Sequence, residues 1–367
     1  MADAVQGGLG PRAVINLQAL RHNLQIVRQL APDTKVVSVI KADAYGHGML
    51  EVARALSDSD MLAVARVSEG VTLRESGIDK AILVLEGFFE TDEITQAIEH
   101  RLDITIHQTR QIKLLENMDG LAVSSLRFWL KVDTGMHRLG MNIDDAADGF
   151  ARLQALNCAS GDPVLMTHFA NADAIDNDHT LKQIQAFEEF VSGFDSPLSL
   201  ANSAGIIAWP ESHKQWVRPG IMLYGASPIL GIKGTDHQLQ PVMTLKSQLM
   251  AVNHLKKNDC VGYGSSWCCP EDMPVGVVAI GYGDGYPRHA VSGTPILING
   301  QRTQIVGRVS MDMVTVDLRG INAVEGDEVI LWGEGLPAEE IAEASGTISY
   351  ELFCGVTSRV KFEYEGS

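Results

Sequence analysis

Basic residues are scarce in this 367-residue chain: 29 Lys and Arg stand against 46 Asp and Glu, a formal charge of −17. A surface of that sign repels phosphate backbones and anionic lipid, which excludes a general nucleic-acid or membrane-surface binder. It leaves room for a local basic pocket around a small anion. No run approaches the roughly 18 apolar residues a membrane helix needs. The amino-terminal stretch MADAVQGGLGPRAV has no basic start followed by an apolar run, so no signal peptide is expected. The five cysteines, Cys158, Cys260, Cys268, Cys269 and Cys354, are odd in number and form no CxxC pair. Neither a disulfide framework nor a zinc site is expected, and the expected compartment is the reducing cytoplasm. Cys268 and Cys269 are read as small packing residues. No GxGxxG follows the first predicted strand, which argues against a dinucleotide fold.

Hydrophobic residues make up 45% and charged residues 20%, the composition of a globular chain. The length suits two domains, or one large barrel with an addition. Asn16 can cap a helix whose Leu17, Leu20, Leu24 and Val27 share a face, with Pro32 as its stop. Thr34 to Lys41 then reads as a buried strand. Further strands are expected at MLAVA from Met61, AILVL from Ala81, LDITI from Leu102, LRFWLKV from Leu126, PVLMTHF from Pro163 and PLSLAN from Pro197. Helical stretches lie between them; one carries Leu181, Ile184, Phe187 and Val191 on a stripe. Repeated βα units require a parallel sheet, and about eight fit a closed (β/α)8 TIM-type barrel over residues 12–230. Past GIKGTDHQLQP the pattern turns β-rich, so residues 231–367 are read as a mostly β domain, with a strand near residues 11–15 as a further candidate member. Asn299-Gly300 is a hairpin turn signal, and PAEEIAEASG a short helix closed by Gly346.

Lys41 closes the first of these strands and is followed by ADAYGHG. In a parallel barrel the site lies at the C-terminal ends of the strands. A lysine there loses solvent, which lowers its pKa and frees the amine for attack on a carbonyl. A lone lysine in that position would otherwise reach out to the rim. Tyr45 lies four residues on, and Gly46 and Gly48 permit a tight turn into the next helix.

VIKADAYGHG resembles the pyridoxal-phosphate lysine motif of the alanine racemases. Further segments match in the same order: KVDTGMHRLG from Lys131, THFANAD from Thr167, ANSAG from Ala201, RPGIMLYG from Arg218, VGYGSSW from Val261, GYGDGYPR from Gly281, GRVSMDM from Gly307 and ISYE from Ile348. The resemblance spans nearly the whole chain. It implies that Lys41 holds pyridoxal 5'-phosphate (PLP) covalently and serves as a base on one face of the substrate Cα. Racemisation needs a second proton carrier on the other face, and Tyr263 matches the tyrosine the family supplies from a partner subunit. A phenol, with an ordinary pKa near 10, needs local positive charge or strong hydrogen bonds to act as a base.

The resemblance further implies cofactor contacts from Tyr45, Arg138, His168, Asn202, Ser203, Arg218, Gly220, Ile221 and Tyr350. Arg218 would face the pyridine nitrogen; always protonated, it cannot accept a proton, so the ring remains a weak electron sink. Ser203 and Gly220 suit phosphate binding, through a hydroxyl and a close backbone approach. His168 would stack beneath the ring. Arg138 would contact the cofactor's phenolic oxygen and support the substrate carboxylate. Lys131 matches a lysine that is often carbamylated; an inward amine paired with Asp133 is the other reading. Met311 and Asp312 match a segment whose backbone receives the substrate carboxylate, and Tyr282 a tyrosine at the channel mouth. Tyr263 and Tyr350 would narrow the entrance and favour a methyl side chain. No metal is implied.

The expected function is interconversion of L- and D-alanine by a two-base mechanism, in a homodimer with shared sites, supplying D-alanine for peptidoglycan or degrading it. The rivals are a broader small amino-acid (serine) racemase, a decarboxylase of the same barrel class, and a non-enzymatic PLP-binding barrel protein. The β-rich segment after residue 230 weighs against the last. One departure concerns the tail: where the family commonly has an RVPR-like stretch, this chain reads SRVKFEYEGS, with Lys361 in place of the proline.

Overall fold

The computed structural model of the chain describes residues 10–156, 158 and 161–366. The segment read above for a signal peptide lies, up to residue 9, outside them. The described chain divides into two units, Leu20–Leu239 and a second formed by the residues up to Ala19 together with those from Gln240 onward.

In the first unit eight parallel strands close a barrel in chain order. After β1 (Arg12–Asn16) of the other unit, they are β2 (Lys35–Val39), β3 (Met61–Val64), β4 (Ile82–Val84), β5 (Asp103–Ile106), β6 (Phe128–Lys131), β7 (Val164–Met166), β8 (Leu198–Asn202) and β9 (Trp216–Arg218). The ring shuts where Lys35 and Val36 of β2 pair with Trp216 and Val217 of β9. These strands are covered on both faces, so they read as continuous apolar runs without alternation. Met61–Val64 and Ile82–Val84 are wholly buried. Strand β9 was not individually expected: it is three residues long and ends in a buried arginine.

The intervening helices follow their local chemistry. Asn16 Oδ1 accepts the N–H groups of Gln18 and Ala19, each at 3.0 Å, and starts the helix Leu17–Leu30. The helix His179–Val191 buries Gln183, Ile184, Phe187 and Val191, whereas Leu181, expected on the same stripe, is exposed. Position 181 falls outside the narrow arc that faces the strands, and buried Thr180 takes its place.

The second unit holds an eight-stranded sheet ordered β15-β14-β17-β10-β1-β18, with β13 added on β10 and β16 on β13, and a separate two-stranded sheet of β11 and β12. Its strands are β10 (Met243–Leu255), β11 (Cys260–Val261), β12 (Trp267–Cys268), β13 (Met273–Val278), β14 (Pro295–Ile298), β15 (Gln301–Gln304), β16 (Val314–Asp317), β17 (Glu328–Trp332) and β18 (Lys361–Glu365). Strand β1 pairs antiparallel with β10 and parallel with β18. Asn299 and Gly300 both take positive φ, 49° and 73°, the conformation of a tight hairpin turn. Gly346 ends the helix Ala338–Ser345 at φ 67°. The departure at the tail has a use here: the Lys361 N–H donates to Pro11 O at 3.2 Å, a bond a proline could not make.

The cysteine reading is corrected. Cys260 and Cys268 form a disulfide, because β11 and β12 pair in a register that sets the two opposite each other. Cys268 is therefore not a packing residue. Cys269 is one, buried with Met273, Val275 and Val306.

Candidate active site

Lys41, Lys131, His168, Asn202 and Arg218 stand at or just beyond the C-terminal ends of β2, β6, β7, β8 and β9. The barrel therefore gathers them at one rim. The backbone after Lys41 is unusual. Ala42, Asp43, Ala44 and Tyr45 all have φ between 51° and 54°, a left-handed turn built without glycine. Each such residue costs on the order of 1–2 kcal/mol, so neighbours must hold the turn. Glu69 Oε1 accepts the Ala42 N–H at 2.8 Å, and Asp43 Oδ1 accepts that of Met49 at 2.7 Å. His47 Nδ1 donates to Ala44 O and Tyr45 O. Burial pushes His47 down to about 4, so at neutral pH its ring packs as an uncharged group. The Tyr45 and His47 rings lie 4.8 and 4.6 Å from that of Tyr224, whose hydroxyl donates to Val39 O at 3.0 Å. The tight turn expected from Gly46 and Gly48 thus begins four residues earlier, on residues of which only Asp43 has any leaning toward it.

Four further basic groups crowd the rim. Lys131 is buried; loss of solvent first, then the charges of Arg218, Arg138 and Lys41, lowers its amine to about 8. Asp133 is turned elsewhere: its Oδ1 accepts the N–H groups of Gly135, Met136 and His137, and its Oδ2 faces His137 Nδ1 at 3.1 Å. Arg138 is exposed, at the end of that loop. His168 is held well below the ordinary imidazole range, first by burial and then by Arg218, Lys131, Arg138 and Lys41. Arg218 is 3% exposed, and burial alone lowers it to about 10, still fully charged at neutral pH. It donates to Ser199 Oγ and Thr167 O, both at 2.6 Å, and lies 3.4 Å from His168 Nδ1. Such a concentration of positive charge suits an anionic, electron-poor ligand.

Beside it is a small polar corner. Ser203 Oγ accepts the Gly220 N–H at 2.8 Å and that of Met222 at 3.4 Å. A Cβ at Gly220 would sit 2.5 Å from Tyr45 Oη, so glycine is required for the backbone to approach that hydroxyl. Ile221 follows directly and is buried. Asn202 Oδ1 accepts the Gly205 N–H at 2.9 Å. The corner therefore converges two hydroxyls on the buried backbone at Gly220.

The second unit carries the remaining candidates. Tyr263 is at the tip between β11 and β12 and is 68% exposed. The disulfide closes the base of that tip. A Cβ at Gly264 would lie 3.4 Å from Arg308 Nη1, so a guanidinium rests against the tip. Tyr282 and Met311 are joined through backbone: Tyr282 N–H donates to Ser310 O, and Gly283 N–H to Met311 O. Asp312 accepts from Arg359 Nη2 at 2.7 Å, and Arg359 also pairs with Asp284 at 3.2 Å. The Asp312 carboxylate is thereby engaged with an arginine of its own unit. Tyr350 lies on the helix Ser349–Cys354 and is half-buried. Among the described residues no group of three or more His, Cys, Asp or Glu could hold a metal ion. No helix among them is long and apolar enough to cross a membrane.

Sequence reasoning passed over several supports. Ser199 and Thr167 hold Arg218, but each looks like an ordinary strand residue. Glu69 accepts from Ala42, Ala65 and Arg66, and its place three residues into the helix after Arg66 is a capping signal that could have been noticed. Gln183 joins two site loops from mid-helix, where a glutamine carries no signal.

The model of the alanine racemase N-terminal domain matches residues 15–228, and that of the alanine racemase C-terminal domain residues 242–364. The chain is 50% identical over 352 residues to the alanine racemase of Shewanella sediminis, covering 95% of this chain and 98% of that protein. It is 48% identical over 354 residues to the alanine racemase of Halorhodospira halophila, covering 96% and 97%. Among solved structures, the biosynthetic alanine racemase of Pseudomonas aeruginosa aligns with a TM-score of 0.92 at 39% identity, over 98% of this chain and 100% of that one. The alanine racemase of Acinetobacter baumannii aligns at 0.93 and 39%, over 97% and 99%.

Proposed function

The chain belongs to the alanine racemase family and interconverts L- and D-alanine; we propose that it does so with PLP and two proton carriers, Lys41 and Tyr263, on opposite faces of the substrate Cα. The observation that carries the reading is the rim itself, where an amine, a buried guanidinium and a hydroxyl-lined corner meet. PLP is an aldehyde on a pyridine ring with a phosphate tail. Lys41 supplies the primary amine for the aldehyde. Ser203, Tyr45 and the backbone at Gly220 and Ile221 supply the polar corner for the phosphate, with Asn202 next in the chain to Ser203; Tyr350 is assigned to the same ligand by the resemblance of ISYE. Arg218 supplies a fixed cation for the ring nitrogen, its fork held by Ser199 and Thr167. When bound, PLP withdraws electrons from alanine and acidifies its Cα–H.

The chain's own groups then decide the outcome. Lys41 moves a proton at one face through its Nζ, and Tyr263 of a second copy moves one at the other through its hydroxyl. His168 is neutral and serves as a packing surface for the ring. Arg218 cannot accept a proton, so electron withdrawal stays modest and Cα is quickly reprotonated. Arg138, with the backbone at Met311 and Asp312 from a second copy, receives the substrate carboxylate; Tyr282 guards the approach. In support of a homodimer, the second unit exposes Tyr263, Tyr282 and Met311, the side chains that this reading places at the site. Supply of D-alanine for peptidoglycan, or its degradation, is the role that fits such an activity.

Lys131 is assigned as a carbamate. The group needs a neutral amine, and an amine lowered to about 8 is half neutral at that pH. Carbamate formation would turn a buried cation among cations into an anion able to hold Arg138. The sign is clear: uptake of carbon dioxide rises as pH climbs through about 8. A protein carbamate signal from 13C-bicarbonate in NMR is expected to follow that rise and to vanish in Lys131→Ala; a signal unchanged by that substitution removes the assignment.

The whole reading is tested by incubating the purified protein and PLP with single L-amino acids in heavy water. L-Alanine is expected to racemise and to gain deuterium at Cα. Optically pure alanine left unchanged would sink the proposal, and equal rates on serine would favour the broader racemase.

A further inference from the structure

The helix His179–Val191 contributes none of the groups assigned above, yet Gln183, 1% exposed, points its amide into the loops that carry them. Its Oε1 accepts the Ala170 N–H at 2.9 Å. Its Nε2 donates to His168 O and to Thr134 Oγ1, both at 3.2 Å. Thr134 and Thr167 share a hydroxyl–hydroxyl hydrogen bond of 2.8 Å, and Thr167 O is one of the acceptors that aim Arg218. Gly135 lies against the same side chain: a Cβ there would be 3.6 Å from Gln183 Cγ. One amide thus ties the loop from Lys131 to Arg138 to the loop that carries His168, and through Thr167 to the guanidinium of Arg218.

We propose that Gln183 is a positioning residue for racemisation, which sets the distance between the loop ending at Arg138 and the pair His168–Arg218. The proposal rests on the assignment of those three residues as cofactor contacts. The chemistry singles out glutamine. Two donors and one acceptor are needed, and only a primary amide on this stem offers both. Glutamate would keep the Ala170 contact but set an anion against His168 O. Methionine would keep the volume and leave buried polar groups unpaired. A shift of the two loops by about 1 Å would move Arg138 against His168, and misplacement of that size costs roughly 10- to 100-fold in rate.

The test compares Gln183→Met with Gln111→Met in the PLP-loaded enzyme. Gln111 is a buried clamp of the same kind elsewhere in the barrel, accepting from His107 and Gln108 and donating to Phe88 O. Each variant is measured for kcat and KM with both isomers, for the circular dichroism band of bound PLP, and for melting temperature. Gln183→Met is expected to lower kcat about 10- to 100-fold and to alter the band, while Gln111→Met lowers only the melting temperature. A Gln183→Met enzyme with wild-type kcat, KM and band overturns the proposal. Should that variant fail to fold, isosteric Gln183→Glu carries the same test with the same outcomes. A Lys41→Ala enzyme that still racemises would instead overturn the site assignment, so the two failures are separable.

Discussion

Lys41→Ala is expected to leave a folded chain that holds no PLP covalently and racemises alanine at least about 1,000-fold more slowly than wild type, the middle of the range for loss of a positioned acid–base group. In the proposed reading two functions end together in that substitution, since one amine would both tether the cofactor and carry a proton. Folding should survive. Lys41 is only half-buried, and the turn beyond it is fixed by Glu69, Asp43 and the Tyr45–Tyr224 contact, none of which uses the lysine side chain. Borohydride reduction followed by mass spectrometry is the direct measurement. It should add the mass of the reduced cofactor to the peptide that contains Lys41, and add nothing in the variant. A variant that still traps cofactor, or that racemises within tenfold of wild type, would show that another amine does the work.

The left-handed turn beyond Lys41 is held from outside the lysine side chain. Its strain is borne by Glu69 and the aromatic pair Tyr45–Tyr224. None of this was legible in ADAYGHG, because alanine and tyrosine have no preference for positive φ and the conformation comes from residues far along the chain. The barrel, by contrast, could be read. Strands buried on both faces leave apolar runs such as VVSV and MLAV that few other arrangements produce. What failed were the ends and the exceptions. LRFWLKV was read as seven residues, but only Phe128–Lys131 belong to the ladder. WVR escapes such a reading because it is three residues long and Arg218 breaks the apolar pattern. Cys260 and Cys268, eight residues apart, resemble no motif; only the register of β11 on β12 makes them neighbours. The candidate site was legible wherever its residues fall in short strings at strand ends. Gln183 could not be, since a buried amide in an amphipathic helix looks like a residue of the polar face.

Tyr263→Phe carries the second large effect, and its signature is an asymmetry that ordinary kinetics must hide. L- and D-alanine are equal in free energy, so kcat/KM in the two directions stays equal in any variant and both fall together, by about 100- to 10,000-fold for loss of one acid–base group. The two faces separate only in isotope exchange. With the phenol gone, the proton of L-alanine has no base beside it, and L-alanine should remain almost undeuterated in heavy water. The proton of D-alanine still faces Lys41, so D-alanine should exchange with solvent and keep its configuration. The substitution removes one oxygen from a tip that is 68% exposed and braced by the Cys260–Cys268 disulfide, so neither the fold nor PLP affinity should change appreciably. Arg308, which lies against Gly264 in the same tip, remains in the variant. Exchange lost equally from both isomers, together with weaker PLP binding, would make Tyr263 a structural residue. Exchange retained by both would leave the second face without its proton carrier and remove the two-base mechanism altogether.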